Sequence, residues 1–336
     1  MGWPACGSVI APYHTRDALE CPSPRAFICS GTEGGDMSDQ PGFRFSFDAP
    51  VLRGGRDCIS TLGAELETHG LDRAMVVCGQ TVGSTRAVID PVEAGLGDRH
   101  IRTFDETTPE KRLSTALDAA EQVREGGIDV LVGLGGGSSL DITSVAAMLA
   151  ADDRSREAIG AEFEERGTIS PPDAAPYPFV AVPTTLAGAD LSMAAGLTAD
   201  PATGSVSEPV DGGVAHPGLM PLAVVADPEL VATTPRDILA ASAMNGFDKG
   251  IESLYARSAT PITDATATHG LSLLRWSLPA LGQSRPPVDA VESVVEEFCS
   301  CSTVSRTTTA RRCRSFTRSD TASRGRIHSS RGTPMG

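Results

Sequence analysis

Between Asp72 and Ala226 the chain alternates short apolar β-branched runs with helical stretches, and this alternation constrains the fold most. Ala74–Cys78, Ile128–Leu134 and Phe179–Val182 read as buried strands, and Ala223–Ala226 as a fourth. Between them, Pro109–Glu125 carries apolar residues at helical spacing (Leu113, Ala116, Leu117, Ala120, Val123), and Leu140–Ala151 reads as a second helix. Strands separated by helices imply right-handed crossovers and a parallel sheet covered on both faces. From Pro235 the pattern turns helical, over roughly 236–257, 263–277 and 287–298. The coarse architecture expected is an α/β half followed by an all-helical half.

Charge divides the chain in the same way. The formal charge of -15 averages a body over 37–298, with 18 basic against 38 acidic residues, and a tail over 299–336 with eight Arg and one Asp. A body this acidic is a poor partner for nucleic acid or an anionic membrane, because phosphate recognition needs a positive field. Lysine is nearly absent; Lys111 and Lys249 are the two in the chain. Cys6, Cys21, Cys29, Cys299, Cys301 and Cys313 lie in the terminal segments, leaving Cys58 and Cys78 in the body. That distribution is not a disulfide framework, and it reads as a reduced, cytoplasmic protein. Cys299, Cys301, Cys313 and His328 match no usual zinc spacing. The start has neither a basic n-region nor a long apolar stretch, so no secretory signal is expected.

The domain boundaries follow. Residues 1–36 lack periodicity and read as a disordered leader or as a product of a misplaced start codon, with Met37 opening the ordered stretch. The α/β domain spans 37–226, and the start of the helical domain spans 227–298. In 299–336, Ser, Thr and Arg fill 23 of 38 positions and Leu is absent, so neither a helix nor a strand face can be drawn. The tail reads as a disordered basic segment, as a frameshifted segment, or as a nucleic-acid arm. The abrupt change inside an acidic helix favours the frameshift.

Three segments carry the chemistry. Strand 128–134 runs into Gly135-Gly136-Gly137-Ser138-Ser139-Leu140-Asp141 and then a helix. Glycines let the backbone approach a ligand, and the helix start offers free N–H groups and a positive dipole end to a phosphate. The loop is neither a Walker loop nor GxGxxG. A second loop, Pro183-Thr184-Thr185-Leu186-Ala187-Gly188, puts two hydroxyls at a strand end. The third segment joins Asp227-Pro228-Glu229-Leu230 to Met244-Asn245-Gly246-Phe247-Asp248-Lys249 and Thr260-Pro261-Ile262-Thr263-Asp264.

In this order and spacing, over roughly Asp48 to Gln283, these motifs resemble the iron-containing alcohol dehydrogenase family, with some features of its maleylacetate reductase branch. The resemblance implies the fold class, an α/β Rossmann-like amino-terminal domain followed by an all-helical, truncated carboxy-terminal domain. Residues 37–226 would be the dinucleotide-binding domain for NAD or NADP, and 227–298 the start of a helical metal and substrate domain holding a divalent metal, iron or zinc. Hydride transfer between nicotinamide and a small alcohol or carbonyl substrate would take place between them. It implies that Gly135, Gly136, Gly137, Ser138, Asp141, Thr184 and Thr185 contact the cofactor. No nucleic-acid or membrane partner is implied; homo-oligomerisation stays open. Asn245 and Lys249 stand where the family has an Asp and a His metal ligand, and Ser144 stands where it has a Lys. An amide is a weak ligand, and an ammonium has no lone pair and repels a cation. The family's two further His ligands have no counterpart apart from His328 in the tail, so the ligand set is not retained. Lys249 becomes the candidate catalytic residue, an ammonium in the metal's place. His269 reads as structural, and His216 carries no signal. The competing readings are an inactive cofactor-binding remnant and a maleylacetate reductase-like enzyme working without metal.

Overall fold

The computed structural model describes residues 50–296, apart from 205, 258, 284 and 285. The leader over 1–36 and the tail over 299–336, with six of the cysteines, lie outside the described residues. Eight strands form two sheets. They are β1 (Val51–Gly54), β2 (Ala74–Gly79), β3 (His100–Thr107), β4 (Val130–Gly135), β5 (Phe179–Pro183), β6 (Ala194–Ala199), β7 (Val210–Ala215) and β8 (Ala223–Ala226). Six of them make a sheet in the order β1-β8-β5-β4-β2-β3, parallel throughout. The strand order reverses between β2 and β4, where doubly wound sheets open a crevice at their carboxyl ends.

The expected strands owe their visibility to burial on both faces. Met75, Val77, Leu131, Ala181 and Val224 point into one core, and their neighbours Val76, Val130, Val132, Val180 and Val225 into the other. A period of two with both faces covered leaves a continuous apolar run. Each fully buried Val or Leu contributes about 1.5–3 kcal/mol relative to exposure.

The helices are α1 (Leu62–Thr68), α2 (Gln80–Ser84), α3 (Arg86–Leu96), α4 (Leu113–Gly126), α5 (Gly137–Ala150), α6 (Arg156–Arg166), α7 (Pro228–Val231), α8 (Arg236–Leu254) and α9 (Pro261–Leu281). Residues 288–296 are also helical. Helix α5 is buried at every position from Ser139 to Ala150, so its amino-terminus is held rigidly at the sheet's carboxyl edge. The helical region after the sheet is as expected, with α9 opened by a capping box on Thr260 and Thr263.

Some boundaries differ from the sequence pattern. The helix expected from Pro109 starts at Leu113, because 108–112 form a turn whose backbone pairs with β6. The helix expected from Leu140 starts three residues earlier, at Gly137. The edge strand β1 was hidden by its length of four residues, and β3 by its mostly exposed, polar sequence. The antiparallel pair β6–β7 was hidden by glycine-rich sequence of low strand propensity.

That pair docks against the end of α6 through Gly212. A Cβ there would lie 2.0 Å from the Gly167 carbonyl oxygen, a backbone atom that cannot step aside. Gly212→Ala is therefore expected to destabilise the fold by about 1–3 kcal/mol, read as a lower denaturation midpoint in urea with unchanged slope.

Cys58 and Cys78 are free thiols, both pushed up to about 12 by burial. Neither is a thiolate at neutral pH, so neither serves as a nucleophile. Among the described residues no helix is long and apolar enough to cross a membrane.

Candidate active site

The site begins where β4 ends. Gly135 has φ +138, a conformation that L side chains rarely adopt, and this turns the chain sharply into α5. Gly136 is the N-cap residue, with no side-chain cap, and the first turn of α5 contains no acid. The helix thus presents its first N–H groups and positive dipole end without a capping carboxylate. Ser139 Oγ is tied to Thr107 Oγ1 at 2.7 Å, joining the end of β3 to the first turn of α5.

The loop after β5 closes over this helix start. Thr184 is buried; its N–H donates to Gly135 O at 3.0 Å and its own carbonyl accepts from Thr234 Oγ1 at 2.7 Å. Ser242 of α8 accepts the Leu186 N–H at 3.1 Å, fastening loop to helix. Between them lies a cleft of about 540 Å³, lined by Gly136, Gly137, Ser138, Thr185 and, from α8, Asp237 and Ser242. A Cβ on Gly136 would come within 3.2 Å of Thr185 Cγ2, a tight contact across the cleft, whereas one on Gly137 would make an ordinary 3.4 Å contact with Ala189 Cβ. The first turn of α5 carries no acid, the condition under which a helix start attracts an anion, while Asp237 on the facing helix is the acid in the lining.

Of the proposed cofactor residues, Gly136, Gly137, Ser138 and Thr185 line the cleft, Gly135 precedes it and Thr184 braces it from beneath. Asp141 stands one turn further along α5 and is buried. Its Oδ2 receives Lys111 Nζ at 2.6 Å and the Gly196 N–H at 3.2 Å. Burial raises the Asp141 carboxyl above the usual range, opposed by Lys111, the Gly196 N–H and Lys249.

Helix α8 contributes the next pair. Asn245 Nδ2 donates to Ala187 O at 3.0 Å, and Lys249 Nζ donates to Gly188 O at 2.9 Å. Both donate to backbone carbonyls; the Lys249 ammonium has no lone pair for a cation, and the neutral Asn245 amide offers at most a weak oxygen ligand. Among the described residues no group of three or more His, Cys, Asp or Glu is placed to hold a metal ion. The residues present do not fit the family's metal. Burial lowers the Lys249 ammonium below its ordinary 10.5; Asp190, Asp141 and Glu252 oppose that, and Lys111 adds to it. His269 is exposed on α9, and His216 caps a short turn by accepting the Gly218 N–H. Sequence reasoning missed Lys111 as a member of this site. The available signal was the count of two lysines, of which it pursued one. It also missed Asp237 and Ser242, which no local motif marks.

Fold and cleft define a class: a doubly wound parallel α/β protein with a glycine-lined cleft at the carboxyl edge of the sheet and a helical region beyond. Residues 50–228 match the family model for iron-containing alcohol dehydrogenase. The chain belongs to that family. It is 32% identical over 217 residues to 4-hydroxybutyrate dehydrogenase of Cupriavidus necator, covering 63% of this chain and 53% of that protein. It is 27% identical over 227 residues to maleylacetate reductase 2 of Cupriavidus pinatubonensis, covering 68% of this chain and 53% of that protein. The chain thus spans about half the length of these two relatives. It shares its fold with the sulfoacetaldehyde reductase of Bifidobacterium kashiwanohense, solved in complex with NAD+. That match has a TM-score of 0.67 at 23% identity, covering 81% of this chain and 70% of that one.

Proposed function

We propose that the chain is an NAD(P)-dependent oxidoreductase that transfers hydride between nicotinamide and a small alcohol or carbonyl compound, with Lys249 as its electrophile and acid. The observation that carries the reading is the uncapped glycine start of α5, opening into a cleft whose covering loop is pinned by Lys249. Gly136, Gly137 and Ser138 would hold the cofactor's diphosphate, with Thr185 across the cleft. The reduced nicotinamide, when bound, supplies the hydride. Lys249 donates a hydrogen bond to the substrate's carbonyl oxygen and passes it a proton as alkoxide charge develops. An ammonium has three donors, so the bond to Gly188 O does not exhaust it. The relatives named for maleylacetate and 4-hydroxybutyrate support a small oxygenated substrate.

The test is binding of NADH and of NADPH by fluorescence, followed by oxidation of whichever binds with a panel of small aldehydes and oxo acids. No binding would sink the proposal. Because Asn245 and Lys249 do not fit a metal, chelator treatment is expected to leave turnover unchanged, as measured by the same NADH assay before and after EDTA.

Carbonyl reduction should also fall at alkaline pH. The ammonium is the active form, and its proton is lost as pH rises through the folded Lys249 pKa, which lies below the ordinary 10.5. A pH–rate profile whose descending limb lies below that of a free lysine is the expected result.

A second reading, cofactor binding without turnover, is supported by apolar side chains left in solvent on and beside α8 and α9: Met244, Tyr255 and Trp276 are more than half exposed. NADH binding with no oxidation across the panel is the outcome that selects it.

A further inference from the structure

The chain's two lysines come from distant segments, and both act on one buried carboxylate. Lys111 Nζ holds Asp141 Oδ2 at 2.6 Å, with the Gly196 N–H on the same oxygen. Lys249 is fastened to Gly188 O and lies within electrostatic reach of both partners of that pair. The charged groups facing it are Asp190 on the loop, Asp141 on α5, Glu252 on its own helix and Lys111 in the turn before α4.

The backbone of Lys111 is itself unusual. It has φ +56, a left-handed conformation shared among the described non-glycine residues with Asp57 alone. Strand β6 clamps it there. The Thr198 N–H donates to Lys111 O at 3.0 Å, and Thr198 Oγ1 donates to Glu110 O at 2.7 Å. Sparsely populated backbone conformations persist where the surroundings over-determine them.

We propose that Lys111 is a positioning residue for Lys249: by engaging Asp141 it prevents that carboxylate from becoming Lys249's own counter-ion, and so keeps the Lys249 ammonium a ready proton donor. With Lys111 in place, much of the Asp141 charge is already compensated. Without it, the buried carboxylate has Lys249 as its remaining cationic neighbour in this cluster. It then holds the Lys249 proton more tightly and makes Lys249 a weaker acid. The inference rests on Lys249 acting as the acid of the reaction, but its decisive test needs no turnover.

Lys111→Arg and Lys111→Met each leave Lys249 as the sole lysine of the chain. Protein labelled with 13C-lysine then gives one lysine side-chain signal, whose pH titration reads Lys249 directly. Arginine keeps the cation on Asp141, and methionine removes it. Lys249 is expected to release its proton at higher pH in Lys111→Met than in Lys111→Arg. The alkaline fall of carbonyl reduction should move in the same direction. Coincident titrations in the two variants overturn the proposal. If Lys111→Met does not fold, Asp141→Asn is added to Lys111→Arg. Lys249 must then titrate at lower pH than in Lys111→Arg alone, and no lowering overturns the proposal equally. Turnover of Lys249→Ala decides the underlying reading separately: if it is unchanged, Lys249 is not the acid, whatever the titrations show.

Discussion

Lys249→Ala is expected to lower carbonyl reduction by about 10²–10³-fold, the usual cost of losing one donor to a developing oxyanion, with NADH affinity nearly unchanged. The two quantities separate because Lys249 is not among the residues lining the glycine cleft; its link to that cleft is a hydrogen bond to Gly188 O. The fold should survive the substitution. Orphaning a buried charge typically costs about 3–5 kcal/mol, but Asp141 keeps its 2.6 Å pair with Lys111. Lys249→Arg refines the result. A guanidinium carries the charge but does not release its proton in the working pH range. It should therefore recover only part of the rate and abolish the alkaline limb of the profile. Steady-state turnover with NADH titrations on the same samples checks both. Full activity in the alanine variant would remove Lys249 from the mechanism.

Ser138→Asp is expected to abolish cofactor binding without weakening the fold. Ser138 lies in the first turn of α5 and lines the cleft. A carboxylate there meets the helix's positive end, which stabilises the helix by about 0.3–1 kcal/mol. The same charge faces any diphosphate seated on Gly136 and Gly137. Two like charges about 4 Å apart near a protein surface repel by about 4 kcal/mol, enough for at least a hundredfold loss of NADH affinity. The expected pair of observations is a melting temperature equal to or above that of the parent and a lost fluorescence titration. Retained NADH binding would place the diphosphate elsewhere.

The strands that build the sheet's centre were legible because β2, β4, β5 and β8 are buried on both faces and read as unbroken apolar runs. The edges were not, since β1 is only four residues long with Val51 and Leu52 left in solvent, and β3 keeps mostly polar residues toward solvent. The glycine loop was legible as a sharp strand-to-helix turn, because its requirements are local: a glycine at φ +138 followed at once by a helix start. The start of α4 was misplaced for a long-range reason. Residues 108–112 pair with β6, some ninety positions later, and that pairing draws them out of the helix.

By itself the sequence determined the α/β alternation, the helical region beyond it, the motif order that marks the family and the residue types at positions 245 and 249, Asn and Lys. Each of these depends on residue type and short-range spacing. Only the tertiary structure decided that Asp141 belongs to a buried charge cluster and that Lys111 is its partner. It also decided that both lysines act on that carboxylate, while Thr184 braces the cleft from beneath. Burial and ion pairing depend on distances between segments far apart in the chain, and the crossovers that bring β6, α5 and α8 together set those distances.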